Sequence, residues 1–319
     1  PKDLRPPIVY AGNAELQPQV VEIAGSDAEL RVVGDVRPTR DAADLGPLQA
    51  ELESLRHLKS VEQLPGYRAL ATWSKEKILP ASTSFAHTVQ YIAHVDGVNV
   101  LAIDVGGATT TVASVLDEQP DLVIRRDLGL SHSIAQLLAL VPAESVARWL
   151  PFEMDETDIS NALRNKALHV HTLPQTRQDL LLEQAVAREA IRLALADIAP
   201  RWPQTSPTTQ DGLLPKFHLL VGCGGVLTSA PTYGQAALIL LDALQPVGLS
   251  GLALDQVGLV APMGAVAMVN PLAAVEVMER DGLLNLGTVV APVGRARKGE
   301  LALTCKLEYS DGRVVETDV

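Results

Sequence analysis

Aromatic residues are scarce in this chain of 319 residues, which has 3 Trp, 5 Tyr and 3 Phe, so its interior must be assembled from aliphatic side chains. With an apolar share of 47%, that composition excludes a largely disordered chain and points to the α/β class. Basic residues are also short, 26 Lys and Arg against 38 Asp and Glu for a net charge of −12. No positive footprint is left for nucleic acid or an anionic membrane surface, and neither is expected as a partner. Cysteine is nearly missing: Cys223 and Cys305 cannot build a disulfide framework or a four-ligand zinc site, which predicts a reducing, cytoplasmic setting. Two uncharged stretches, Phe217–Leu241 and Gln256–Val275, are long enough to span a bilayer but are broken by Gly, Pro and polar residues, so no membrane span is expected. The sequence opens at Pro1 and stops in what reads as a hairpin, and it is expected to be a piece of a longer chain.

The hydrophobic pattern predicts a βαβ unit over Pro7–Pro38 and an amphipathic helix with Leu48, Leu52, Leu55 and Leu58 on one face. A further helix, Ser82–His94, leads into an antiparallel meander of Val98–Asp104, Thr109–Leu116 and Leu122–Arg126. Helices are expected at Ser131–Leu140, Ala143–Trp149, Asp155–Ala167 and Gln178–Ile198, then a Pro-, Ser- and Thr-rich loop over Pro200–Pro215. A buried strand at Phe217–Val221 is followed by a helix at Tyr233–Leu244. Short apolar pieces then flank Pro262-Met263-Gly264, a helix covers Pro271–Arg280, and the last thirty-odd residues read as β.

Two segments carry chemistry. In Leu101–Ser114 (LAIDVGGATTTVAS) an aspartate ends an apolar strand and is followed at once by two glycines and three threonines. Glycine lets backbone N–H groups turn toward an anion, threonine adds hydroxyl donors, and Asp104 is suited to a hydrated divalent cation or a water beside phosphates. The bland alternative is a tight Gly-Gly hairpin with an ordinary polar aspartate. In Leu219–Ser229 (LLVGCGGVLTS) a strand runs into three glycines and a helix, which suits close backbone approach to a phosphate or adenosine and equally suits a plain strand-to-helix turn. Cys223 within it reads as a small buried filler. His169 and His171 flank Val170, so on a strand their rings would share a face, but no third ligand is in view.

Taken in order, YAGN (Tyr10–Asn13), GDVRP (Gly34–Pro38), DVGGATT, RDLG (Arg126–Gly129), GCGGVLTSAP (Gly222–Pro231) and LALDQVGLVAPMGAVA (Leu252–Ala267) resemble the glutamate mutase L family, within the actin-like ATPase superfamily. The resemblance implies an α/β, ribonuclease-H-like, actin-like fold with mixed five-stranded sheets in two lobes and a ligand cleft between them. Residues 1–100 would be the remainder of the first lobe, 101–284 the second lobe, and 285–319 the start of a C-terminal β segment. It further implies ATP with Mg2+ held through water, and a role as a chaperone or reactivating factor for an adenosylcobalamin-dependent mutase. Asp104 would serve in catalysis and at the metal. Gly106, Gly107, Ala108, Thr109 and Thr110 would form the phosphate hairpin, with Gly222, Gly224, Gly225 and Val226 across the cleft at the adenosine.

Three departures from the family pattern stand out. No Asp-x-Gly-Ser-x-Thr-like first phosphate segment is present, the family's Asp after GGATT is Thr111, and Pro80–Ser84 offers no carboxylate to position water; the nearest upstream one is Glu76. Hydrolysis is therefore expected to be slow or absent. A non-catalytic actin-like scaffold and a small-molecule kinase remain the alternatives.

Overall fold

The structure is a computed structural model describing residues 6–39, 45–74, 76, 78–203, 213–294, 297 and 299–318. Part of the loop expected over Pro200–Pro215, residues 204–212, therefore lies outside the described residues. The chain divides into two compact units, Pro1–Pro80 and Ala81–Val319.

The first unit contains β1 (Ile8–Tyr10), α1 (Gln17–Ala24), β2 (Leu30–Val32), α2 (Gly46–Arg56) and α3 (Tyr67–Trp73). As the pattern predicts, β1 and β2 pair in parallel around α1. The ladder continues past the strands, with the Val33 amide donating to Tyr10 O at 2.9 Å and that of Val36 to Ala11 O at 3.1 Å. YAGN and GDVRP thus lie side by side, and each closes on itself. Asn13 Oδ1 accepts the Glu15 amide at 2.8 Å and Asp35 Oδ1 that of Arg37 at 2.8 Å.

In the second unit, α4 (Ala81–Asp96) leads into β3 (Val100–Val105), β4 (Thr110–Leu116) and β5 (Gln119–Arg125), then α5 (Ile134–Leu140), α6 (Ala143–Ala147), α7 (Glu156–Leu168) and α8 (Arg177–Ile198). Next come β6 (Leu219–Cys223), the single turn α9 (Gly225–Thr228), α10 (Tyr233–Leu244), β7 (Gly248–Leu254), α11 (Val260–Val269), α12 (Pro271–Val277) and β8 (Leu284–Ala291). β9 (Thr304–Glu308) and β10 (Val314–Asp318) form a separate antiparallel ribbon.

The main sheet runs β5-β4-β3-β6-β7-β8. β3, β6 and β7 are parallel and the remaining pairs antiparallel. Its first five strands have the order and directions of a ribonuclease-H-like sheet, and β8 adds a sixth. Strand alternation divides the core between the two faces. Leu101, Ile103 and Val105 join α8 and α10 on one side, whereas Val100, Ala102, Ala113 and Val221 meet Phe85, Val89 and Val260 from α4 and α11 on the other.

Four elements differ from the sequence reading. β7 was not anticipated, since its two glycines mask an apolar strand. α11 runs straight through Pro262-Met263-Gly264: proline at the third helical position forfeits an N–H that has no intrahelical partner there. α4, placed above with the first lobe, packs with the second unit because Phe85, Val89 and Ile92 are buried against the main sheet. β8, read above as the start of a C-terminal segment, is hydrogen-bonded to β7. At Leu252/Ala253 their register slips by one residue, and Asn285 Oδ1 accepts the Gly287 amide at 2.9 Å, closing a bulge at Leu286.

Candidate functional site

Asp104 lies next to the carboxyl end of β3, paired in register with Thr111 of β4 and Cys223 of β6. One strand further, Gly222 pairs with Leu254, and the Asp255 amide donates to Gly222 O at 2.9 Å. In-register residues share a face, so Thr111, Asp104, Cys223 and Asp255 form a row across the carboxyl end of the sheet. Asp255 is buried, and its two oxygens accept the amides of Leu259 at 2.7 Å and Val260 at 2.9 Å at the start of α11. Burial, reinforced by the nearby Asp255 charge, holds the Asp104 carboxyl above the usual carboxylate range. Among the described residues nothing donates a hydrogen bond to Asp104. The Cys223 thiol, between the two carboxylates, is pushed well up by burial and then by their charges, which keeps it protonated and unreactive.

Sequence reasoning missed Asp255. The signal was present: Leu101-Ala102-Ile103-Asp104 and Leu252-Ala253-Leu254-Asp255 are two near-identical strands that end in aspartate at the same level of the sheet.

The hairpin after Asp104 keeps its carbonyls and its amides apart. Gly106 O accepts the Leu130 amide at 3.1 Å, Gly107 O the amides of Ser131 and His132 at 2.8 Å each, and Thr109 O the Gly106 amide at 2.8 Å. Ala108 O accepts the Ser133 hydroxyl at 2.7 Å. Every carbonyl of the turn is therefore taken, whereas among the described residues the amides of Gly107, Ala108 and Thr109 donate to no protein group. Gly107 and Ala108 are exposed. RDLG is the backing of this loop. A Cβ on Gly129 would stand 2.4 Å from Gly107 O and Ala108 C, so only glycine lets the two backbones touch. Residues 131–133 are occupied in holding the hairpin, which is why α5 begins at Ile134 rather than Ser131.

Other candidates serve packing. Thr110, expected to offer its hydroxyl to a ligand, is fully buried and donates to Leu128 O at 2.7 Å; Gly106 spends its amide inside the hairpin. Gly224 has φ of +100° and lies so close to β3 that a Cβ would come within 2.2 Å of Val105 O. A Cβ on Gly222 would meet Leu240 Cδ1 at 2.6 Å, and Val226 packs partly buried against the larger core cluster. Gly225 faces open space. The glycine turn and the hairpin were expected on opposite walls of a cleft; that is corrected, since Cys223 pairs directly with Asp104 and the two turns are neighbours on one sheet. His169 and His171 are not on a strand: His169 caps the end of α7. Ser84, in the stretch that lacks a carboxylate to position water, donates its hydroxyl to Ala261 O of α11.

Among the described residues, no three His, Cys, Asp or Glu side chains converge to hold a metal ion directly, and no helix is long and apolar enough to cross a membrane.

The profile of the MutL family, described as MutL protein, matches residues 1–282. The chain belongs to the MutL, or glutamate mutase L, family. A curated relative, Protein MutL of Clostridium tetanomorphum, is 23% identical over 259 residues, covering 72% of this chain and 55% of that protein. This MutL-family chain thus spans about half the length of the relative it matches. Among solved structures it is similar to component A of (R)-2-hydroxyglutaryl-CoA dehydratase from Acidaminococcus fermentans. The two are 14% identical with a TM-score of 0.29, covering 64% of this chain and 75% of that one. The ribonuclease-H-like fold rests on the strand order β5-β4-β3-β6-β7.

Proposed function

We propose that this MutL-family chain binds Mg-ATP and acts as an accessory protein of an adenosylcobalamin-dependent mutase, in the manner of a chaperone or reactivating factor. The observation that carries the nucleotide reading is the hairpin's polarity: four carbonyls committed to the protein, three consecutive amides left over. Such a turn favours an anion, because backbone donors that lack a partner are satisfied by phosphate oxygens. Asp104 adds a carboxylate that accepts from no donor among the described residues, suited to the water shell of a magnesium ion that accompanies the phosphates. The magnesium would supply charge neutralisation at the phosphates. The chain's own residues would bind and orient: Gly107, Ala108 and Thr109 by their amides, Gly225 by leaving room for a nucleoside beside them.

The partner reading rests on the family. The full-length protein titrated with Mg-ATP in a calorimeter is expected to bind, and Ala108→Glu, which sets a negative charge among the free amides, is expected to abolish binding while the fold persists by circular dichroism. Equal binding by the two proteins overturns the nucleotide reading. Failure of the full-length protein to restore activity to an inactivated cobalamin-dependent mutase in the presence of ATP overturns the partner reading.

A further inference from the structure

Two histidines stand at the lip of the hairpin, brought there by separate parts of the chain. The His132 backbone amide donates to Gly107 O at 2.8 Å, and its Nδ1 lies 3.9 Å from where a Cβ on Gly107 would be. The His171 ring meets the His132 ring edge-on, centroids 5.3 Å apart and planes at 75°. The Ser131 hydroxyl donates to Val170 O, tying the two segments together next to the rings. Both imidazoles are exposed, and no ion pair or hydrogen bond engages either ring among the described residues. An exposed imidazole pair has no part in the core, and the ring contact alone does not explain why it is fastened to a turn whose Gly107, Ala108 and Thr109 amides donate to no protein group among the described residues.

We propose that His132 is a ligand-contacting residue that donates a ring N–H to a non-bridging oxygen of the outermost phosphate of a polyphosphate ligand held by the hairpin, with His171 positioning its ring. The inference rests on the hairpin reading above and adds to it a preference: the ligand class is a nucleoside di- or triphosphate rather than a monophosphate. The hairpin amides supply donors that any phosphate group satisfies. A first phosphate seated on the hairpin amides would leave a second or third to reach the histidines beside Gly107, whereas a lone phosphate would not reach them.

The test is an NMR titration of the 15N-labelled chain with Mg-ATP and, separately, with inorganic tripolyphosphate and AMP. It follows the amide signals of Gly107, Ala108 and Thr109 and the imidazole signals of His132 and His171. Amides and imidazoles should move together with ATP and tripolyphosphate, and the imidazoles should stay still with AMP. In calorimetry, His132→Gln should weaken tripolyphosphate binding about tenfold, the scale of one hydrogen bond to a charged group. His171→Phe, which keeps a ring edge, should weaken it less. Amides that move while both imidazoles stay still, or wild-type affinity in His132→Gln, overturn the histidine assignment and leave the hairpin reading standing. If neither amides nor imidazoles move with ATP or tripolyphosphate, the hairpin reading falls and this inference falls with it.

Discussion

Asp104 shows how one residue of a binding site can cost stability. Its carboxyl titrates above the usual range because burial and Asp255 both oppose its charge. A carboxyl whose pKa is higher in the folded than in the unfolded chain binds its proton more tightly when folded. The associated stability is complete below the unfolded value of about 4 and is lost as pH rises through the folded value. Asp104→Asn should therefore melt at a higher temperature than the wild type near pH 7.5, and the gap should close as pH falls toward 4. Differential scanning fluorimetry across that range checks both the sign and the direction; a variant less stable at every pH contradicts it. Adding magnesium and ATP should erode the advantage of the asparagine, because the cation offsets the repulsion that asparagine removes.

Helix α4 and helix α11 meet at close quarters. A Cβ on Gly264 would stand 1.8 Å from Ser84 O, the Ser84 hydroxyl donates to Ala261 O, and Thr88 Oγ1 donates to Val260 O at 2.6 Å. Gly264→Ala forces backbone against backbone and should destabilise by about 1–3 kcal/mol. Gly225→Ala, with nothing within 4 Å of the added methyl, should melt close to the wild type. Thermal denaturation of the pair separates a glycine required by packing from one that leaves space. This seam marks what the sequence made legible and what it did not. The meander, the Asp104 hairpin and the flanking helices followed from periodicity and turn chemistry, which are local. α11 reads from sequence as two pieces because a proline and a glycine are local breaking signals; the proline is accepted because it falls in the first turn, and the glycine is demanded by Ser84 of a partner helix distant in sequence. The roles of Gly222 and Gly224 were hidden for the same reason, since the neighbours that demand glycine there are Leu240 and Val105.

At the scale of the whole molecule, the site offers binding groups in greater supply than groups for proton transfer. The Ser84 hydroxyl is committed to Ala261 and the Cys223 thiol is held protonated, while the groups beside the hairpin have binding tasks in the reading above: the Asp104 carboxyl at the water shell of magnesium and the His132 imidazole at phosphate. Phosphoryl transfer relies on a group that orients the attacking water. Purified full-length protein without a partner is therefore expected to turn over ATP below about 1 s⁻¹, the lower end of the kinase range. Several turnovers per second in a steady-state assay would show that another group performs this step. The bulge at Leu286 has a consequence for how copies of the molecule meet. β8 is the outermost strand, with β7 as its one sheet neighbour among the described residues, so its far edge offers a template on which a second chain could add a strand. The one-residue slip at Leu286, closed by Asn285 Oδ1 accepting the Gly287 amide, kinks the strand just where a flat ladder would need to continue. Asn285→Ala frees the amide and relaxes the kink. Light scattering behind size-exclusion chromatography should then detect concentration-dependent association that the wild type resists, with the side-chain amide of one asparagine acting as the guard against edge-to-edge polymerisation.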